Sequence, residues 1–153
     1  KIPVLASGGI ADGYQMAACL ALGAQGINMG TRFMCTKEAP IHDNVKLALV
    51  NAGERDTNLI FRTMRNTSRV LKNAVADEVV AMEKKGAAFE EVRHLVAGAR
   101  GRNAMKTGEV DTGIVSAGMV VGLIKDIPTC KELIERLVRE CREALAAASK
   151  MAA

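Results

Sequence analysis

Ile2-Pro3-Val4-Leu5-Ala6-Ser7-Gly8-Gly9-Ile10-Ala11-Asp12-Gly13 opens a stretch that runs through Tyr14–Leu22 and Gly23 to Gly26-Ile27-Asn28-Met29-Gly30-Thr31-Arg32-Phe33. Ile2–Ser7 reads as a buried strand that ends at the Gly8-Gly9 pair. Asp12 has the chemistry of a helix N-cap, and Gln15, three residues on, completes a capping box. Tyr14–Leu22 is rich in alanine and leucine and predicts a helix, with Gly23 at its C′ position. Gly26–Met29 is a second short apolar strand, followed at once by Gly30-Thr31. Strand, glycine turn, helix, glycine, strand is the order of one βαβ unit, whose two strands are parallel.

The same stretch is almost free of charge. Residues 1–36 hold only Lys1, Asp12 and Arg32 out of 21 basic and 17 acidic residues in the chain. So apolar a segment reads as core, and as the core of something larger than itself. The 153 residues match one ordinary domain, and a hydrophobic share of 49% excludes disorder. No apolar run reaches the ~18–20 residues of a membrane span, and no basic and apolar leader opens the chain. There are four cysteines and no CxxC pair, which argues against zinc and thioredoxin-type chemistry and for a reducing, cytoplasmic setting. Cys19, Cys130 and Cys141 are expected as small buried hydrophobes; Cys35, near a strand end after Arg32-Phe33, has the one claim to reactivity. With no Trp, one Tyr and three Phe, the chain is poor in stacking platforms, and no nucleic-acid partner is expected.

Beyond Ala39 the pattern turns to helix and charge. Helices are expected over His42–Ala52, Val70–Lys85 and Phe89–Ala97. Thr57–Thr63 reads as extended. Gly98, Gly101 and Gly108 punctuate a loop-like stretch, and Ile114–Ile124 is apolar and interrupted by glycine. Thr129 and Glu132 form a capping box for a last helix with Ile134, Leu137, Val138, Cys141 and Leu145 as its buried stripe. Ala146–Ala153 is expected to fray.

Two glycine turns that end adjacent parallel strands lie on the same edge of the sheet, where α/β folds collect their active sites. Glycine lets a ligand approach the backbone closely and leaves N–H groups to point outward. Ser7-Gly8-Gly9 and Gly30-Thr31 together therefore predict a phosphate cradle, to which Thr31 adds a hydroxyl. Neither a P-loop nor a GxGxxG fingerprint is present. Arg62, Arg65, Arg69 and Lys72 recur at three- and four-residue spacing with no acid between Asp56 and Asp77; they form a solvated face or a grip for phosphate or nucleic acid. His42 and His94 sit among helix-surface residues without partners for a metal or a triad, and Glu90-Glu91 point to different sides of a helix. No catalytic residue and no metal ligand is assigned.

The run Pro3–Gly13, then Ala21-Leu22-Gly23-Ala24, then Asn28–Phe33 closely resembles the nitronate monooxygenase family, formerly 2-nitropropane dioxygenases. Ser116–Ile124 and Asp126-Ile127-Pro128 are similar to a later motif of that family. The resemblance implies an α/β fold, namely the C-terminal part of an FMN-binding TIM barrel with an appended helical domain. Ile2–Ser7 and Gly26–Met29 would be barrel strands 7 and 8, with residues 1–38 as the barrel piece. Residues 39–111 would be a helical insert, and 112–153 the return to the barrel and the closing helix. It places the FMN phosphate on Ser7, Gly8, Gly9, Gly30 and Thr31. Met119 stands where many members carry glutamine.

The family's catalytic histidine and first six strands lie upstream, so the implied partner is the missing N-terminal half of the barrel, and the fragment alone is expected to be inactive. The implied reaction oxidises alkyl nitronates with O2. A related branch implies NAD(P)H:quinone reduction, and the Arg65–Arg69 run is similar to that branch. A non-catalytic helical binding module built on Arg62–Lys72 is the reading from a different class.

Overall fold

In the computed structural model, which describes residues 2–152, Leu5–Ser7 (β1) and Gly26–Asn28 (β2) pair in parallel with Ser7 opposite Asn28. Between them runs helix α1, Gly13–Ala21. The predicted start of α1 is present: Asp12 Oδ1 accepts the Gln15 N–H at 2.8 Å. The reciprocal bond lands one residue early, with Gln15 Oε1 accepting from the Ala11 N–H at 2.7 Å. At the far end Gly23 takes φ 101°, its N–H donates to Leu20 O, and Ala24 N–H donates to Cys19 O. That pair of bonds is a Schellman motif, which needs the left-handed residue that glycine supplies.

The chain divides into two compact units: residues up to Ala39 together with those from Asp126 onward, and Pro40–Lys125. The first unit holds β1, α1, β2, a four-residue helix α2 (Thr31–Met34) and the long C-terminal helix, Cys130–Met151. The predicted capping box starts that last helix, with Glu132 Oε2 accepting the Thr129 N–H at 2.7 Å and Thr129 Oγ1 accepting the Glu132 N–H at 3.2 Å. Glu38 adds a second anion there by accepting the Cys130 N–H at 2.9 Å.

The buried stripe differs from expectation. Leu133, Leu137 and Cys141 are buried, whereas Ile134 and Leu145 are exposed. The helix packs on α1 through Gly13, where a Cβ would lie 2.5 Å from Glu140 Cβ, so the face that carries Leu137 and Cys141 is buried together with Leu133 rather than Ile134. The helix also continues through Met151 rather than fraying from Ala146; Lys1 and Ala153 lie outside the described residues.

Ile2, Val4 and Leu5 were expected in a core, yet Leu5 is 58% exposed and Ile2 90%. The cause is the sheet itself. Among the described residues β1 and β2 pair only with each other, whereas parallel strands ordinarily have further strands and helices to cover them.

The second unit contains α3 (Asp43–Asn51), an antiparallel pair β3 (Thr57–Ile60) and β4 (Ser68–Leu71), then α4 (Ala74–Lys84), α5 (Phe89–Val96) and α6 (Gly98–Thr107). The C-terminal helix of the first unit, Cys130–Met151, is accordingly α7. Ile60, Val70, Val75, Ala76, Val79, Val92 and Leu95 form the core of the second unit. Val70–Lys85 is not one helix. Asn73 separates strand from helix: its Oδ1 caps the Ala76 N–H at 2.8 Å, and its Nδ2 donates to Val110 O and Gly113 O. The expected loop over Gly98–Gly108 is helical. Gly101 is there for contact, since a Cβ would sit 2.7 Å from Ile114 O, and Gly108, at φ 81°, ends the helix. Arg62, Arg65, Arg69 and Lys72 share no helix face either: the first two lie in the β3–β4 connection and Arg69 lies on β4.

Candidate functional site

The parallel register decides the geometry of the two glycine turns. Ser7 and Asn28 are 21 residues apart and opposite one another, and Asn28 Nδ2 donates to Ser7 Oγ at 3.1 Å. Gly8-Gly9 and Gly30-Thr31 follow the C-terminal ends of these two parallel strands, so both turns leave the same end of the strand pair. Gly8 N–H continues the ladder by donating to Asn28 O at 3.2 Å. What Gly8 offers a ligand is therefore close backbone approach rather than a donor. Gly8 and Gly9 take φ 82° and 72°, the left-handed region that side chains avoid. Gly30, at φ −98°, is the N-cap residue of α2, and Thr31 is that helix's first residue.

A Cβ built on Gly8, on Gly9 or on Gly30 would meet nothing within 4 Å. These three glycines border open space, whereas Gly13 and Gly101 serve packing. Among the described residues the N–H groups of Gly9 and Gly30 have no intramolecular acceptor. Open volume, two unspent backbone donors and the Ser7 and Thr31 side chains on one sheet edge make a donor set that fits a phosphate.

The turn after β2 has a support that the sequence did not reveal. Arg32 is 3% exposed; its Nη2 donates to Asp126 Oδ1 at 2.6 Å, and its Nη1 donates to Asp126 O at 3.2 Å and Cys35 O at 3.4 Å. Arg136 Nη2 donates to the other oxygen, Asp126 Oδ2, at 2.6 Å. Burial alone would raise the Asp126 carboxyl, but the Arg136 hydrogen bond and the Arg32 charge outweigh it and hold the group below its ordinary value. Arg136 is raised in return, first by its bond to Asp126. The available signal was Arg32 itself, the lone arginine in an apolar stretch, which buried needs an acid.

Cys35 is fully buried, which withdraws its claim to reactivity. Cys141 is buried, and Cys19 and Cys130 are half-buried. His42 caps α3, its Nδ1 accepting the Asn44 N–H at 3.1 Å, and so does structural work. Among the described residues no group of three or more His, Cys, Asp or Glu is placed to hold a metal, and no helix is long and apolar enough to cross a membrane.

Known proteins give this geometry a context. The chain is 31% identical over 91% of its length to a (3aS,4S,5R,7aS)-5-hydroxy-7a-methyl-1-oxo-octahydro-1H-indene-4-carboxyl-CoA dehydrogenase of Rhodococcus jostii, covering 50% of that protein. It is 29% identical over 95% of its length to a nitronate monooxygenase of Paraburkholderia phytofirmans, covering 39% of it. Among solved structures, FabK from Thermotoga maritima superposes with a TM-score of 0.91 at 34% identity, over 99% of this chain and 48% of FabK. The chain thus spans about half the length, or less, of the relatives it matches. The nitronate monooxygenase family profile matches residues 1–140. The chain belongs to the nitronate monooxygenase family.

Proposed function

We propose that this chain is the C-terminal half of an FMN-dependent nitronate monooxygenase, a cytoplasmic oxidoreductase in which β1 and β2 are strands 7 and 8 of a TIM barrel. The observation that carries this reading is the pair of open glycine turns, Gly8-Gly9 and Gly30-Thr31, on one edge of a parallel strand pair. The exposed apolar side chains of β1 support it, since a barrel of ~200 or more residues would cover them.

In the complete enzyme the backbone N–H groups of Gly9 and Gly30, with Ser7 and Thr31, hold the FMN phosphate, and Gly8 lets it approach. FMN, when bound, supplies the redox chemistry that converts an alkyl nitronate and O2 to a carbonyl compound and nitrite. This chain contributes position and no base. The Arg32–Asp126 pair keeps the second turn in place two residues from the phosphate. Without the upstream half the chain has a cradle but no closed pocket, and it is inactive.

A second reading is an FMN-dependent NAD(P)H:quinone reductase. It is favoured by Met119 standing in Ser116-Ala117-Gly118-Met119 where many members carry glutamine, and by a relative named as a dehydrogenase. Co-production with the upstream half of the barrel tests both. The purified complex is expected to be yellow and to take up oxygen with an alkyl nitronate in the absence of NADH. Quinone-dependent NADH oxidation without nitronate activity moves the assignment to the second reading, and a colourless complex removes both.

A further inference from the structure

The second unit carries a cationic cavity that the flavin reading leaves unused. Phe61 and Arg65, in the connection between β3 and β4, take φ 62° and 54°, a region that residues with side chains avoid. The connection is held in that shape from below. Glu83 of α4, 7% exposed, accepts the Phe61 N–H at 3.0 Å through Oε2 and the Thr63 hydroxyl at 3.1 Å through Oε1. Asn66 N–H closes the loop onto Phe61 O at 3.2 Å.

Between this loop and α4 lies a cavity of about 410 Å³ lined by Leu59, Arg62, Thr63, Val80, Glu83 and Lys84. That is the size of a small-molecule site. Arg62 and Lys84 are exposed at its rim, and among the described residues neither they nor Arg65 make a side-chain hydrogen bond or ion pair. Arg69 is different: its Nη1 is spent on Thr57 Oγ1 at 2.9 Å. Glu83 is the one carboxylate in the lining, and both of its oxygens already accept from the loop.

Guanidinium and ammonium groups without partners, beside an apolar wall of Leu59 and Val80, suit a ligand with phosphate at one end and an apolar or heterocyclic body beside it. We propose that the Arg62–Lys84 cavity binds the pyrophosphate-bearing tail of a nucleotide, the chemistry shared by coenzyme A thioesters and pyridine dinucleotides. The site lies in a different unit from the glycine cradle and does not depend on the flavin reading, because binding is read with flavin absent.

Calorimetric titration of the full chain with free coenzyme A, and separately with NADH, tests it. At least one is expected to bind, with Arg62→Ala and Lys84→Ala each weakening the affinity about tenfold and Arg62→Lys less. Arg102→Ala, which removes an exposed arginine of α6 in the same unit, is expected to change nothing. Coenzyme A alone binding assigns a thioester tail; NADH alone assigns a dinucleotide; both binding with the same dependence on Arg62 supports the shared pyrophosphate. Binding of neither, or equal weakening by Arg102→Ala, overturns the proposal. The melting temperature of each variant identifies any that fails to fold, and Arg62→Gln or Lys84→Gln then replaces it.

Discussion

Arg32, buried two residues after Gly30, meets Asp126 at 2.6 Å across 94 residues of sequence. The bond ties the turn that ends β2 to the segment that leads into α7. Removing one partner of a buried pair costs about 3–5 kcal/mol, because a charge is left unpaired. Asp126 is 43% exposed, so water repairs part of the loss. Asp126→Ala is therefore expected to destabilise the chain by about 1–3 kcal/mol. The urea midpoint measures it, and an unchanged midpoint would show that the pair is ornamental.

Acid should act on the same corner. Glu38 is lowered chiefly by the Cys130 N–H, and Glu132 by the Thr129 N–H. Asp126 is lowered despite its burial, through Arg136 and Arg32. Groups lowered on folding bind fewer protons in the folded state than in the unfolded one. Their contribution is fully present above the ordinary values of 4.5 and 3.8 and is lost as pH falls through the lower folded values. Urea midpoints are expected to show no contribution from these groups to pH dependence down to about pH 5 and a loss below it, with a shallower loss in Asp126→Asn. A midpoint that rises on acidification below pH 4.5 would contradict this sign.

The βαβ unit was legible because its signals are local: an Asp12 cap, a Gly23 stop and two short apolar runs. The glycines needed the structure. Sequence cannot separate Gly13 and Gly101, which exist for packing, from Gly8, Gly9 and Gly30, which border open space; only the neighbours built by distant residues do so. The same holds for Asn73, whose role as a cap emerges from bonds to Val110 and Gly113, and for Val70, which joins a strand because β3 is available to pair. Tertiary partners overrode a helical pattern there. The stripe of α7 was read correctly at Leu137 and Cys141 but took Ile134 in place of Leu133 for a related reason: the two are equally apolar, and the close approach of α1 at Gly13 selects between them.

Gly13 accordingly has a sharp mechanical prediction. Its N–H donates to Glu140 Oε2 at 2.9 Å, and a Cβ there would press on Glu140 Cβ at 2.5 Å and Cys141 N at 2.6 Å. Backbone of α7 cannot turn aside as a flexible side-chain tip could. Gly13→Ala is expected to cost about 1–3 kcal/mol by forcing α1 and α7 apart, despite alanine's better helix propensity. Thermal unfolding checks it; a melting temperature at or above that of the parent would refute the contact.

Gly30 allows the cradle to be tested without disturbing the fold. At Gly9 a valine strains a left-handed backbone whatever the ligand does, so lost flavin in Gly9→Val has two explanations. Gly30 sits at φ −98°, which any residue adopts, and a Cβ there meets nothing within 4 Å. Gly30→Ala is thus expected to leave the melting temperature of this chain within about 2 °C of the parent. In the complex with the upstream half, the same methyl group occupies the space assigned to the FMN phosphate, and flavin affinity is expected to fall about tenfold or more, with Gly30→Val retaining none. Flavin content per protein, read by absorbance after gel filtration, decides the matter: parent-like flavin in Gly30→Val would place the phosphate elsewhere, because no packing change remains to explain its retention.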